Sequence, residues 1–152
     1  GDTLRVGHFS LEVVSPVCAV VGDDNADSLE FLVRYDEGGE RLTALLTGDA
    51  ERDETGAALA RGDLCDIDLL KVGHHGSEVS ITVAQARELD PEVSVASAGE
   101  HNSYGHPNPA CVEALEEAGS DFLCTKDVGD VDVRPGTDGP RIYTQRPPDA
   151  DV

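Results

Sequence analysis

The stretch Asp66–Ser77, DIDLLKVGHHGS, decides how the rest of the chain is read. Its first half, Ile67–Val72, is short, apolar and bounded by acid and glycine, the composition of a buried strand. Its second half sets two histidines between Gly73 and Gly76, with Ser77 behind them, where that strand should end. The chain has only five histidines, so two side by side ask for a reason. Neutral imidazole is a favoured ligand for zinc, manganese or iron. On an extended segment adjacent side chains point to opposite faces, so one ring can ligate while its neighbour orients a phosphate or moves a proton. Gly73 and Gly76 would let the backbone approach a ligand, and Ser77 offers a hydroxyl. The plainer alternative is a hydrogen-bonded histidine pair in an ordinary loop.

Outward from this stretch the pattern is strands first, then strand and helix in alternation. Leu4–Val6 and Leu11–Val14 read as short strands, the second closed by Pro16. Ser28–Tyr35 alternates as a strand, DEGGE is a turn, and Arg41–Leu46 returns as its hairpin partner. Ala50–Arg61 reads as a helix ending before Gly62. Ser80–Leu89 is a second helix, capped by Ser80 and stopped before Pro91. Val93–Ala98 is a strand. Pro109–Ala118 is a third helix, with Asn108 as cap and Pro109 in its first turn. Phe122–Thr125, Val131–Val133 and Ile142–Thr144 are closing strands, and residues 145–152 form a loose tail. This order predicts one α/β (α+β) domain over residues 1–152, with a mixed sheet and flanking helices. In such sheets functional groups collect at strand ends.

Two further strand exits carry chemistry. In LLTGDA, Asp49 follows an apolar strand and Gly48 permits a tight turn. A carboxylate there can bind a cation, or simply cap the following helix. In SAGEHNSYGHPNP, the residues Asn102, Ser103, Tyr104 and His106 crowd one loop. Amide, hydroxyl, phenol and imidazole together suit an anionic oxygen; a capped turn before the Asn108–Pro109 helix is the alternative. Weaker candidates fall away. DDNADSLE opens like a calcium loop, but Ser28 and Arg34 stand where Gly and Glu are needed. His8 reads as a surface strand residue. A triad of Ser77, His75 and Asp49 lacks the GxSxG elbow, and neither a P-loop nor GxGxxG occurs.

Composition sets outer limits. With 31 acids against 11 bases the net charge is −20. Such a surface repels nucleic acid except at a local cationic site, which argues against a DNA-coating protein but not against a small cation-loaded pocket. The three Phe, three Tyr and absent Trp leave packing to small aliphatics. Cys18, Cys65, Cys111 and Cys124 have no finger or redox spacing. Three of them, in SPVCAVV, DLCDIDLL and DFLCTK, read as buried, reduced thiols. No apolar run is long enough to span a membrane.

Taken together, NADSLEFLVRY, LLTGD, DLLKVGHHGS, SAGEHNSYGHP and TKDVGDVDV resemble the C-terminal metallo-β-lactamase-like domain of the ComEC family, the DNA-internalisation proteins of bacterial competence. The resemblance runs from about Asn25 to Val133. It implies an αββα sandwich, of which this chain is the C-terminal part, with a site for two divalent metals (Zn or Mn) at one edge. Asp49 and His74 are the metal ligands it implies, with His75 and His106 as alternatives at the second position. His75 and His106 are its catalytic candidates, moving a proton to or from the leaving oxygen. Ser77, Asn102 and Tyr104 are its substrate- and phosphate-binding candidates. The implied reaction is hydrolysis of a nucleic-acid strand by metal-activated water. The same fold could serve a small phosphoester, or a docking module that has lost its metals. The family's H-x-H-x-D-H motif does not occur in the chain. The expectations are therefore weak or no metal binding by the chain alone, partnership with the rest of a longer membrane polypeptide that includes a channel and with a single DNA strand, and some self-association through bared apolar surface.

Overall fold

Gly38 and Gly39, both at positive φ (62° and 89°), make the two-residue turn that folds Glu30–Glu37 back onto Glu40–Leu46. Only glycine adopts that pair of dihedrals freely, and the turn's twist matches the strands it joins. The structure, a computed structural model, describes residues 1–22 and 24–148. Its strands are β1 (Thr3–Val6), β2 (Phe9–Ser15), β3 (Glu30–Glu37), β4 (Glu40–Leu46), β5 (Leu69–Lys71), β6 (Val93–Ala96) and β7 (Asp121–Cys124) in one seven-stranded sheet, ordered as in the chain. The first four pair antiparallel, and β4 to β7 pair parallel. A separate hairpin, β8 (Val131–Arg134) and β9 (Arg141–Thr144), is tied to the sheet by a bridge between Arg41 and Gly136.

The three parallel steps each pass through a helix: α1 (Arg52–Leu59), α2 (Val83–Leu89) and α3 (Pro109–Glu117). Crossovers that step the same way across a sheet with the usual hand put their helices on one face, and α1, α2 and α3 touch in series. A one-turn helix, α4 (Thr125–Val128), follows β7. Under the helices the cross-strand row Leu32, Leu45, Leu70 joins Ala58, Leu59, Ala86, Leu89 and Leu115 in the core. The next row, on the opposite face, runs Val13, Phe31, Leu46, Lys71, Val95, Leu123. Most of its members are only half-buried, and Leu4 and Val6 at the β1 edge are 60% and 58% exposed. The mixed sheet with flanking helices is thus present, with one face covered by helices and the other buried at Leu42, Ala44, Val93 and Val95 but partly exposed toward β1–β3.

Several local expectations are corrected. The second helix starts at Val83, not Ser80: Thr82 Oγ1 accepts from the Gln85 amide at 3.2 Å, and Ser80 is buried elsewhere. The first helix starts at Arg52, with the Glu51 amide donating to the Glu54 carboxylate at 3.2 Å, so Asp49 is not its cap. His8 lies in the β1–β2 turn, not in a strand. Cys18 and Cys65 are exposed; only Cys111 and Cys124 are buried, and all four are free thiols. Cys18 lies past Pro16, where β2 has ended, and Cys65 in the bend before β5, so apolar neighbours in sequence do not bury either. Gln145 and Arg146, expected in the loose tail, hydrogen-bond to Asp130 and Val128 (2.9 and 2.8 Å). Residues 149–152 of that tail lie outside the described residues.

Glu30 is the most costly residue of this core. It is wholly buried and neither carboxylate oxygen has a hydrogen-bond partner. Burial pushes its pKa from 4.5 up to about 7, opposed by the Ser15 hydroxyl and reinforced by the Glu54 charge. Between those two values the folded chain keeps a proton that the unfolded chain has released, so stability falls as pH rises. The loss expected between pH 4.5 and about 7 is about 3 kcal/mol. Denaturant unfolding at pH 5 and pH 8 measures it, and Glu30→Gln should flatten the difference.

Candidate active site at the strand ends

The parallel pairing brings the C-terminal ends of β4, β5 and β6 to one edge, and the loops that leave them carry Asp49, the histidine pair, Asn102, Tyr104 and His106. The loop after β4 is stitched to the loop after β5. Thr47 Oγ1 donates to the Lys71 carbonyl at 2.6 Å, and the His74 amide donates to the Gly48 carbonyl at 3.1 Å. A Cβ on Gly73 would lie 2.3 Å from the Ala50 carbonyl oxygen, and one on Gly76 would lie 2.9 Å from Pro107. These glycines, expected to let the backbone approach a ligand, instead make room for the Ala50 carbonyl and the Pro107 ring.

The histidine pair is not extended. His74 and His75 both have left-handed dihedrals (φ 44° and 56°) inside a short 3₁₀ turn at Gly73–Gly76. Two consecutive non-glycine residues in that region carry backbone strain. Ser80 Oγ donates to the Gly73 carbonyl at 2.7 Å and braces the turn from inside. Ser77 sits in the same buried bracket, its hydroxyl 3.2 Å from that of Ser80, and does not reach the site surface.

The turn aims the two rings differently. His75 Nε2 lies 3.4 Å from Asp49 Oδ1, while its Nδ1 donates to the Ser97 carbonyl at 2.7 Å. His74 packs edge-on against His106, ring centroids 5.8 Å apart. Asn25 Nδ2 is 3.4 Å from His74 Nε2, and Glu51 Oε1 is 3.3 Å from His74 Nδ1, out of line for a hydrogen bond. Ser28 Oγ accepts from the Asp49 amide at 3.2 Å. The Asn-x-x-Ser segment before β3 thus supports both halves of the site. Glu51 and Asn25 were not singled out as site residues by the sequence. The acid's signal was read as part of a helix start, and the amide's as part of a strand motif.

The loop after β6 is closed on itself. Asn102 Nδ2 donates to the Gly99 and His106 carbonyls (both 2.8 Å), and its Oδ1 accepts from the His106 amide at 2.9 Å. This clasp sets His106 over His74, and Tyr104 stacks on His106 with planes 13° apart. A cavity of about 480 Å3 opens between His75, Ala98, Tyr104, His106 and Thr125. Burial lowers the His106 pKa from 6.5, helped by the charges of His74 and His75. Lys71, half-buried with its Nζ on the Val72 carbonyl, has its pKa lowered by burial while Asp49 pulls the other way.

Asp49 thus meets His75 and His74 meets His106; His75, His106, Asn102 and Tyr104 line the cavity, and Asp49, His74 and Ser77 are not in its lining. Two buried imidazole nitrogens, Nδ1 of His74 and Nδ1 of His106, lack a hydrogen-bond partner. Such orphans are donors of the kind a cation takes up. Among the described residues, however, no three of His, Cys, Asp or Glu converge to hold an ion unaided.

The chain is thus a mixed-sheet α/β protein with imidazoles and a carboxylate at its parallel strand ends. No protein-family model matches the chain. Among curated proteins it is 30% identical over 134 residues to "ComE operon protein 3" of Bacillus subtilis, covering 88% of this chain and 17% of that protein. It is 37% identical over 109 residues to "Recombination protein 2" of Haemophilus influenzae (71% of this chain, 13% of that protein). It is 34% identical over 105 residues to "Competence protein ComA" of Neisseria gonorrhoeae (68% and 14%). The chain spans less than a fifth of the length of these relatives. By distant, partial homology over most of its own length, it is related to bacterial competence proteins.

An NMR titration of the histidine ring protons should place the His106 midpoint below that of a free imidazole. His74→Gln should move it upward by removing a like charge.

Proposed function

We propose that the chain is one wall of a metal-assisted phosphodiesterase site that cleaves a nucleic-acid strand within a competence protein. The observation that carries this reading is the pairing of Asp49 with His75 and of His74 with His106 across three neighbouring strand ends, with His75 and His106 lining one cavity. The homology to competence proteins supports a nucleic-acid substrate. In this reading Asp49 and His74 hold divalent zinc or manganese, with His75 and His106 as alternatives, and the remaining ligands come from polypeptide outside the chain. Such cations polarise a phosphoryl oxygen and bring the pKa of water toward neutrality.

The chain's own residues do the rest. Asn102 fixes the loop that holds His106 in place. His75 has its Nδ1 proton committed to the Ser97 carbonyl, so Nε2 is the atom that exchanges a proton with the leaving oxygen. His106, kept neutral by burial near pH 7, receives or passes a proton beside it.

The partly exposed sheet face supports the companion reading, a two-sheet αββα sandwich. Its half-exposed Phe31, Val33, Leu46 and Leu69 form the surface a second sheet would cover, or a second copy in its absence. Such a sandwich would make this chain a domain of a membrane polypeptide whose channel carries the other DNA strand. A docking module without catalysis is the second reading, favoured by the lack of three converging ligands among the described residues.

In the intact polypeptide, Asp49→Ala and His74→Ala should each lower phosphodiester cleavage of a single-stranded oligonucleotide at least about a hundredfold, with thermal unfolding unchanged. Full turnover by either folded variant would remove the assignment and leave the docking role.

A further inference from the structure

The cavity beside His75 has properties that phosphate binding does not account for. Most of its polar atoms are spent within the protein or turned away: His106 Nδ1 is unpartnered but buried, and His75 Nε2 faces Asp49. Asn102 uses its amide on Gly99 and His106. Thr125 Oγ1 donates to the Ala98 carbonyl and accepts from the Ala98 amide, both at 3.0 Å. His75 Nδ1 is held by Ser97. What remains open is the surface of Ala98 and the ring of Tyr104, which is 81% exposed and braced from behind by His106. At about 480 Å3 the cavity is far larger than a phosphoryl group needs.

We infer that this cavity takes an unpaired nucleobase of the strand being cleaved, stacked on Tyr104 and held without regard to base identity. The inference rests on the phosphodiesterase reading and names the form of its substrate. A π face needs an aromatic platform and no hydrogen-bond code, which is what a largely satisfied pocket with one free ring provides. A base inside a duplex cannot enter without leaving its stack, so the site selects single strands or frayed ends. The surroundings allow a polyanion to approach. Most arginines are paired with acids, as in Arg34 with Glu12, Arg87 with Glu117 and Arg141 with Glu40. The chain's only two lysines are Lys71, the last residue of β5, and Lys126, in α4 just after β7.

The test is an NMR titration of the full 152-residue chain at low ionic strength with four probes. These are tetrathymidylate, tetraadenylate, an abasic tetranucleotide with the same phosphates, and a short blunt duplex. Both base-bearing single strands should bind alike, at least about fivefold tighter than the abasic strand and the duplex, with shifts at Tyr104, Ala98 and Thr125. Tyr104→Ala should abolish that advantage and Tyr104→Phe keep it; position 104 is exposed, so both variants should keep a dispersed spectrum. Equal binding of the abasic strand would overturn the base pocket and leave the phosphodiesterase reading intact. Tight duplex binding, a marked preference for one base, or an undiminished Tyr104→Ala variant would also overturn it. Binding of none of the four by a chain with a dispersed spectrum would overturn both readings.

Discussion

The close approach of two loop backbones, after β4 and after β5, is the constraint on which the site depends. Parallel register sets the two strand ends side by side, and the Thr47 hydroxyl on the Lys71 carbonyl locks them. Gly73 then passes so near Ala50 that no side chain fits. That contact fixes the start of the Gly73–Gly76 turn, and Ser80 and Pro107 fix its end. Between those anchors His74 and His75 are held with left-handed backbones, one ring on Asp49 and the other on His106. Strain of this kind persists only where the surroundings over-determine it.

Much of this was legible because local rules and tertiary packing agree. Gly38–Gly39 specified a hairpin, Asn108–Pro109 a helix start, and the apolar IDLLKV a buried strand with polar residues at its exit. What was not legible depended on contacts distant in sequence. Nothing in VSIT favours Thr82 over Ser80 as a cap until Ser80 is seen to be taken by Gly73. Nothing in GHHG announces a left-handed turn, since histidines there are ordinarily extended. Ser77 looked like a ligand-facing hydroxyl and lies inside the turn, while Asn25 and Glu51 reach His74 from elements that flank β3 and α1. The apolar contexts of Cys18 and Cys65 misled because burial is decided by the fold and not by neighbours along the chain.

The chain's −20 charge and its cavity are reconciled by distribution. Acids that bind arginines in local pairs, such as Glu12 between Arg34 and Arg61, are spread over the sheet and helices. At the strand ends imidazoles stand beside the carboxylates, and burial lowers the pKa of His106 and Lys71. In the proposed reading, the unpartnered histidine nitrogens and the partly exposed sheet face are both surfaces that a second layer of polypeptide would cover.

Anomalous diffraction from crystals of the intact polypeptide grown with zinc or manganese tests the account most directly. The account predicts anomalous density at the rim described above, bounded by the Asp49 carboxylate and the His74 imidazole, with the cavity of Tyr104 opening beside it. Metal density confined to other residues, with Asp49 and His74 both free of it, would contradict the account.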